Sequence, residues 1–232
     1  MLKLEKISAR IVGIPVLRQI ETEFMPGSLL AIVGRNGAGK TTLLRAIMGL
    51  VPLSEGRILC DGVDLAGVPP YKRTSFGIGY APEDRVMFPT FTVEENLRLP
   101  CDVLNLDKAE IARRLDKVLT VVPQLTEMLP RSGAALSGGQ GKIAALGRAL
   151  MAGSRLVLLD EPFQGLAPVL AGQYAESLRK LRDLDPELCV VVTESNRSLL
   201  RDLPDATLTL ERGELVPDVA APNQHSNLES IT

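Results

Sequence analysis

The sequence has no long hydrophobic run and no excess of charge of one sign over its 232 residues. No apolar stretch approaches the roughly 18 to 20 residues that a membrane-spanning helix requires, which argues against an integral membrane protein. The formal net charge of -2 argues against a nucleic-acid-binding face, because such domains are normally basic. The opening segment, MLKLEKISAR, alternates as a strand does and shows no signal-peptide hydrophobic region. We therefore expect a soluble cytoplasmic protein.

Cysteine and histidine are scarce in the chain. Three cysteines at unrelated spacings, Cys60, Cys101 and Cys189, are expected to be buried free thiols in a reducing cytosol rather than a metal site. The only histidine, His225, lies in the polar, proline-containing segment 217–232, which we expect to form a flexible C-terminal tail. Histidine chemistry is therefore excluded for the rest of the chain.

The sequence does contain ample apolar material for a core, 45% of its residues, with strand and helix patterns in alternation. The patterns predict strands at LKLEKI, SLLAIVG, GRILCDG, RLVLLD, CVVVT and ATLTL, and helices at KTTLLRAIMGL and LAGQYAESLRKLRDL. This alternation predicts an α/β fold with a mostly parallel sheet. Between about residues 92 and 131 apolar residues recur at helical intervals among charges, which predicts a helical lobe inserted into the α/β body.

The segment GRNGAGKTT, residues 34–42, predicts a phosphate-binding loop, called the phosphate loop below. It fits G-x-x-x-x-G-K-[ST], follows a predicted strand and opens a predicted helix, as the motif requires. Lys40 is expected to reach the β- and γ-phosphates of a nucleotide, and the Thr41 hydroxyl to bind Mg²⁺. The predicted nucleotide-binding residues of this loop are Gly34, Arg35, Asn36, Gly37, Ala38, Gly39, Lys40, Thr41 and Thr42.

An acidic pair closes the predicted strand in RLVLLDEP. Asp160 at its end is expected to hold Mg²⁺ through water beside the phosphate loop. Glu161, one residue further, is expected to polarise the water that attacks the γ-phosphate. Alone, an Asp–Glu pair closing a strand is more often a surface feature, but the phosphate loop favours the catalytic interpretation.

A second glycine-rich helix start occurs in LSGGQGKIAALGRAL, and two interpretations of it are open. Ser137, Gly138 and Gly139 form either an ordinary serine N-cap with a glycine-rich turn or a second anion site at a helix start. Because the phosphate loop already surrounds one phosphate chain, a second anion site would serve the nucleotide of another molecule.

The motif LSGGQ, residues 136–140, resembles the signature of ATP-binding-cassette (ABC) ATPases. The order phosphate loop, helical lobe, signature segment and acidic strand is similar to that family over nearly the whole chain. The resemblance implies a P-loop NTPase fold over residues 1–216, with an N-terminal antiparallel β subdomain, a mostly parallel central sheet and an α-helical subdomain inserted at about 92–152. It also implies two ATP molecules with Mg²⁺ between two cassettes, where Ser137, Gly138, Gly139 and Gln140 complete the partner's site.

A finer resemblance links GIGYAPEDR, FPTFTVEENLRL and DEPFQGLAP to the ATPase subunits of branched-chain amino acid importers and their urea and amide relatives. It implies a peripheral protein on the cytoplasmic face of the inner membrane. Its partners would be a second cassette, of the same or a different chain, two permease subunits and, indirectly, a periplasmic binding protein. PEDR also resembles the second cassettes of sugar importers, so that subfamily stays open.

Three positions depart from the family pattern. Glu83 stands where most cassettes have a glutamine that reaches Mg²⁺; it is either a metal ligand or part of a solvated loop with Arg85. Ser195 stands where the switch histidine contacts the γ-phosphate, and a serine offers one neutral hydrogen bond there. Ile11, or else Arg10, takes the place of the aromatic residue that stacks on adenine.

Three classes of function follow from this pattern. The first is an ATP-hydrolysing importer subunit, and the second is a regulatory cassette that hydrolyses slowly while its signature completes a partner's site. A cassette acting on DNA or ribosomes is disfavoured, because the chain has neither a long coiled-coil insertion nor a second cassette. The permease is expected to contact the helical lobe and the loop 83–90, where Phe88, Phe91 and Val93 form either apolar surface or core.

Overall fold

A computed structural model describes residues 1–84, 87–200 and 202–216. The predictions for Arg85, His225 and the tail 217–232 lie outside the described residues. The strands are β1 (Leu2–Ile11), β2 (Ile14–Phe24), β3 (Leu29–Val33), β4 (Leu53–Cys60), β5 (Val63–Asp64), β6 (Ile78–Ala81), β7 (Leu156–Asp160), β8 (Cys189–Glu194), β9 (Ala206–Glu211) and β10 (Glu214–Val216). The α-helices are α1 (Lys40–Ile47), α2 (Val93–Val103), α3 (Lys108–Val121), α4 (Gly138–Ala152) and α5 (Pro168–Leu184), with short 3₁₀ turns between some elements.

The central sheet has the strand order β10-β9-β3-β8-β7-β6. Its strand pairs are parallel except for the antiparallel pair of β9 and β10. Strands β3, β7 and β8 are buried along their whole length, which explains their nearly continuous Val, Leu and Ile runs. The predicted mostly parallel sheet is therefore confirmed. The register pairs Val33 with Glu194 and Asp160 with Thr193, so three strand ends meet at one edge.

A second, antiparallel sheet has the strand order β2-β1-β4-β5. Buried side chains of β1 and β2, such as Leu4, Ile7 and Ile20, share a core with Leu43 and Leu44 of α1 and with one face of the central sheet. This is the N-terminal antiparallel sheet that the family resemblance implies, and it packs against the helix that follows the phosphate loop.

The helices predicted after residue 92 are present, and local capping defines where they begin. Helix α2 starts with a capping box, in which the Thr92 hydroxyl accepts the N–H of Glu95 and the Glu95 carboxylate accepts the N–H of Thr92. Gly147 of α4 allows close helix packing, because a Cβ there would lie 2.6 Å from the Leu125 side chain and 2.9 Å from that of Leu97. The exact bounds of the inserted subdomain, 92–152, stay a prediction.

The three cysteines are buried and free, as predicted. Burial is the main cause that raises the pKa of each thiol. Within the described residues, no helix combines the length and apolar character needed to cross a bilayer.

Candidate functional site

The phosphate loop joins buried strand β3 to helix α1, and its backbone explains its glycines. Gly39 has φ 111°, which favours glycine. A Cβ on Gly34 would lie 2.3 Å from the carbonyl oxygen of Leu210, so only glycine fits there. No described side chain caps the start of α1, so its first N–H groups are available to an anion.

Lys40 is buried with its ammonium group at the centre of the predicted site, 4% of the residue being exposed. Its Nζ atom donates to the carbonyl oxygens of Gly34 at 2.6 Å and Arg35 at 3.2 Å. The same atom lies 3.1 Å from Oε1 of Glu161 and donates to Oγ of Ser195 at 3.2 Å. The structure thus brings together three side chains that are far apart in sequence.

Asp160 accepts three hydrogen bonds at the end of β7. Its Oδ1 accepts hydrogen bonds from the hydroxyls of Thr41 at 3.2 Å and Thr193 at 2.8 Å. Its Oδ2 accepts one from the Tyr80 hydroxyl at 3.3 Å. Burial raises the pKa of Asp160, and the hydrogen bonds from Thr193, Thr41 and Tyr80 oppose that rise. Thr41 and Asp160 are therefore adjacent, as their predicted shared role requires. Sequence reasoning missed Tyr80 and Thr193, because their contacts depend on β6 and β8 flanking β7.

Glu161 lies in the turn after β7 with an unusual backbone. Its φ is 46°, a region that few non-glycine residues adopt and that often marks functional sites. The Glu161 N–H donates to the carbonyl oxygen of Thr193 at 3.1 Å and to its hydroxyl at 3.2 Å. Its Oε2 is buried and has no hydrogen-bond partner in the described part of the chain. That unpartnered oxygen can accept a proton from a water molecule.

Ser195 is placed inside the site, as its predicted position implies. Its Oγ lies 2.6 Å from Oε1 of Glu161 and 2.6 Å from Oδ1 of Asn36, and it accepts the ammonium of Lys40. One hydroxyl proton can serve only one of the two oxygen acceptors at a time. A neighbouring residue that sequence reasoning also missed, Glu194, is fully buried directly before it.

Glu83 and Ile11 lie at the margins of the site. Glu83 is exposed and lies two residues after the end of β6. Strand β6 pairs with β7, so this is the same sheet edge at which Asp160 lies. No hydrogen bond or ion pair joins Glu83 to another described residue. Ile11 is 44% exposed at the tip of the β1–β2 hairpin. Strand β2 passes the phosphate loop, since a Cβ on Gly39 would lie 3.1 Å from the Val16 carbonyl. Arg10 instead donates to the Gly13 carbonyl.

The signature segment begins α4 at the surface. The Ser137 hydroxyl accepts the N–H of Gln140 at 3.3 Å, and the Gln140 side chain accepts the N–H of Ser137 at 3.1 Å. Ser137 and Gly138 are exposed, and the hydrogen bonds shown for Ser137 all go to residues of α4. The serine N-cap is therefore present, and the exposed helix start is also compatible with the second interpretation, an anion site for another molecule. A Cβ on Gly139 would lie 2.6 Å from the Leu170 side chain.

Phe88, Phe91 and Val93 differ in burial. Phe88 and Phe91 are 46% and 38% exposed, with ring centroids 5.4 Å apart. Val93 is fully buried, so its side chain belongs to the core and not to an apolar surface. Val93 is the first residue of α2 and its side chain faces the other helices of that region.

A parallel sheet with a phosphate loop after one strand and an acidic pair after another defines the class of P-loop nucleoside triphosphatases. The sequence profile described as ABC transporter matches residues 17–164 of the chain. The chain belongs to the ABC transporter family, and it is an ATP-binding ATPase subunit of such a transporter.

Similar proteins include two transport ATPases and one solved structure. A probable branched-chain amino acid transport ATP-binding protein of Archaeoglobus fulgidus is 33% identical, over 93% of this chain and 90% of its own length. A high-affinity branched-chain amino acid transport ATP-binding protein of Pseudomonas aeruginosa is 35% identical, over 93% of this chain and 91% of its own. The structure of an ATP-binding subunit of an ABC transporter superposes with a TM-score of 0.80 at 27% identity, covering 93% of this chain and 88% of the other.

Proposed function

We propose that this chain hydrolyses ATP to power an importer of branched-chain amino acids or related amino acids, or of urea or amides. The observation that supports hydrolysis best is the convergence of Lys40, Glu161 and Asp160 at one sheet edge, with Lys40 Nζ 3.1 Å from the Glu161 carboxylate. The importer type is supported by the two branched-chain transport relatives, which are 33% and 35% identical over 93% of the chain.

The mechanism uses residues of two strand ends and one loop. The phosphate loop binds the triphosphate through backbone N–H groups, and Lys40 contributes the positive charge. Glu161 accepts the proton of the attacking water, since its Oε2 has no other partner among the described residues. Ser195 contributes a neutral hydrogen bond at the position facing the γ-phosphate.

The residues that would hold Mg²⁺ have the right donor chemistry. The Thr41 hydroxyl and the Asp160 carboxylate lie 3.2 Å apart, and both are hard oxygen donors that suit Mg²⁺. Glu83 would extend this set from the loop after β6. When bound, Mg²⁺ would supply positive charge that offsets the negative charge of the triphosphate. No group of three or more acidic, cysteine or histidine side chains forms a metal cluster in the described chain, and Mg²⁺ at nucleotide sites commonly needs only one or two carboxylates.

A second cassette completes the site in this proposal. Residues 137–140 present a helix start to solvent, and that start would contact the triphosphate bound to the phosphate loop of the partner. Ile11, exposed at the tip of the β1–β2 hairpin, would support the adenine ring. The partner is either the same chain or a different cassette.

The permease pair would dock on the surface beside α1, α2 and the loop 83–90. A groove of about 560 Å³ is lined there by Arg45, Tyr80, Asp84, Pro100 and Arg148, among others. The exposed pair Phe88 and Phe91, before the start of α2, would add apolar contact area. The chain would then be peripheral, on the cytoplasmic face of the inner membrane. A periplasmic binding protein would deliver substrate to the permeases without contacting this chain.

A regulatory cassette is the second candidate function, and Ser195 favours it. Its single hydroxyl is shared between Asn36 and Glu161, and it cannot provide the charge-assisted contact of a histidine. In that role the chain's own site turns over slowly, while its signature segment completes a faster site on the partner.

The decisive experiment compares Glu161→Gln with Glu127→Gln, an exposed matched control, in the purified chain. We expect Glu161→Gln to bind ATP, to lose turnover and to accumulate as an ATP-dependent dimer, while Glu127→Gln behaves as the wild type. Normal turnover by Glu161→Gln, measured without another cassette, would remove Glu161 from the role of base. Vesicles containing the permeases and binding protein then identify the substrate class, by ATPase stimulation with leucine, urea or a short amide.

A further inference from the structure

Three successive residues at the end of β8 bind the turn that contains Glu161. Thr193 accepts the N–H of Glu161 through its carbonyl and hydroxyl oxygens. Glu194 Oε1 accepts the N–H of Phe163 at 2.8 Å. Ser195 Oγ lies 2.6 Å from Oε1 of Glu161. The end of β8 thus holds this turn at two points, the N–H of Glu161 and the N–H of Phe163.

Glu194 is the unexpected member of this set. It is 0% exposed, and its Oε2 has no hydrogen-bond partner among the described residues. A buried carboxylate is costly when ionised unless it is paired. Burial is the main cause that raises the pKa of Glu194 to about 7, and the hydrogen bond from Phe163 works against it. A carboxyl with this pKa changes its charge in the range where ATPases work.

The charged and titratable groups around Glu194 come from three neighbouring elements. Glu161 faces it from the turn after β7 and raises its pKa, whereas Lys142 of α4 lowers it. Lys142 Nζ also donates to the Glu161 carbonyl at 2.5 Å. On α5, burial raises the pKa of the fully buried Tyr174, and the charge of Glu194 adds to that rise. Its ring packs edge-on against Phe163, with centroids 5.3 Å apart.

We propose that Glu194 is a positioning residue for Glu161. Glu194 fixes the turn that contains Glu161 by accepting a hydrogen bond from the Phe163 N–H, and its own protonation sets the negative charge beside the base. This proposal rests on the proposed role of Glu161 as general base. When Glu194 is neutral, it adds no charge to the carboxylates of Asp160 and Glu161 at this edge of the sheet. When Glu194 is ionised, it adds a further negative charge, which opposes binding of a polyphosphate anion.

The raised pKa of Glu194 determines whether ATP affinity rises or falls with pH. The pKa of Glu194 in the folded chain lies above its ordinary value, so the group is neutral below about pH 7 and ionises as the pH rises through it. Affinity for a nonhydrolysable ATP analogue should therefore fall by about threefold or more between pH 6 and pH 8 in the wild type. Glu194→Gln should remove that part of the decline, because the amide still accepts the Phe163 N–H and never ionises.

The experiment measures analogue affinity by calorimetry and turnover by phosphate release, from pH 6 to pH 8. The variants are Glu194→Gln, Glu194→Ala and the matched control Glu187→Gln, an exposed carboxylate just before β8. Glu187→Gln should follow the wild-type profile. Glu194→Ala leaves the Phe163 N–H without an acceptor and should lower kcat about tenfold with KM nearly unchanged.

Two results would overturn the proposal. One is a Glu194→Gln affinity profile parallel to that of the wild type, and the other is wild-type kcat for a folded Glu194→Ala. If Glu194→Ala does not fold, the pH dependence of analogue affinity in Glu194→Gln alone tests the proposal. The affinity measurement needs no turnover, so it separates failure of this proposal from failure of Glu161 as base, which the Glu161→Gln measurement reports.

Discussion

Replacing Ser195 by histidine should accelerate hydrolysis at the site of this chain. The serine hydroxyl lies 2.6 Å from both Asn36 Oδ1 and Glu161 Oε1, so its single proton reaches one of them at a time. An imidazole at that position would be held protonated by the Glu161 carboxylate and would present a charged donor to the γ-phosphate.

The size of the effect follows from the two kinds of hydrogen bond. A neutral hydrogen bond contributes about 1 kcal/mol and a charge-assisted one about 2 kcal/mol. If the difference of about 1 kcal/mol is realised in the transition state, turnover rises about fivefold. Ser195 is only half-buried and Asn196 beyond it is exposed, so the larger ring has room toward solvent.

The assay is phosphate release at saturating MgATP, by the chain alone and by the chain assembled with its permeases. Ser198→His is the matched control, because Ser198 is exposed and bonds only to Asn196 among the described side chains. Ser195→His should be about fivefold faster than the wild type and Ser198→His unchanged. An unchanged or lower rate for Ser195→His, at wild-type ATP affinity, would show that a charged donor at this position does not aid hydrolysis.

Three further predictions concern Lys40, Glu194 and Tyr80. Lys40→Ala should abolish tight ATP binding in calorimetry, because it removes the buried ammonium at the centre of the site; binding within twofold of wild type would contradict this. Glu194→Gln should stabilise the fold at pH 8, by up to about 3 kcal/mol in denaturant unfolding, and leave it nearly unchanged at about pH 4, because the wild-type penalty builds up as the pH rises from the ordinary pKa of the unfolded carboxyl to the folded pKa of about 7. Tyr80→Phe should raise the Mg²⁺ concentration for half-maximal ATPase about three- to tenfold, because Asp160 loses one hydrogen bond; an unchanged Mg²⁺ requirement would remove Tyr80 from that role.

The sequence predicted the elements whose signals are local. The apolar runs of β3, β7 and β8, the glycines of the phosphate loop and the helix start at Lys40 all depend on short-range chemistry. Asp160 and Glu161 were also predictable, since they directly follow a buried strand.

The contacts that support the site depend instead on strand order. Tyr80 and Thr193 bond to Asp160 because β6 and β8 lie on either side of β7. Nothing in the residues around Glu194 indicates that its carboxyl reaches the turn of Glu161. The burial of Val93 likewise follows from helix packing that the pattern around it leaves open.

We propose that the triphosphate is bound between two chains, by the phosphate loop of one and the signature segment of the other. The most direct measurement is a crystal structure of the Glu161→Gln chain with MgATP. We expect a dimer in which the Ser137 hydroxyl and the N–H groups at 138–139 lie within hydrogen-bonding distance of the ATP bound to the partner. Residues 137–139 facing bulk solvent in every assembly, with ATP bound to a single chain, would contradict it.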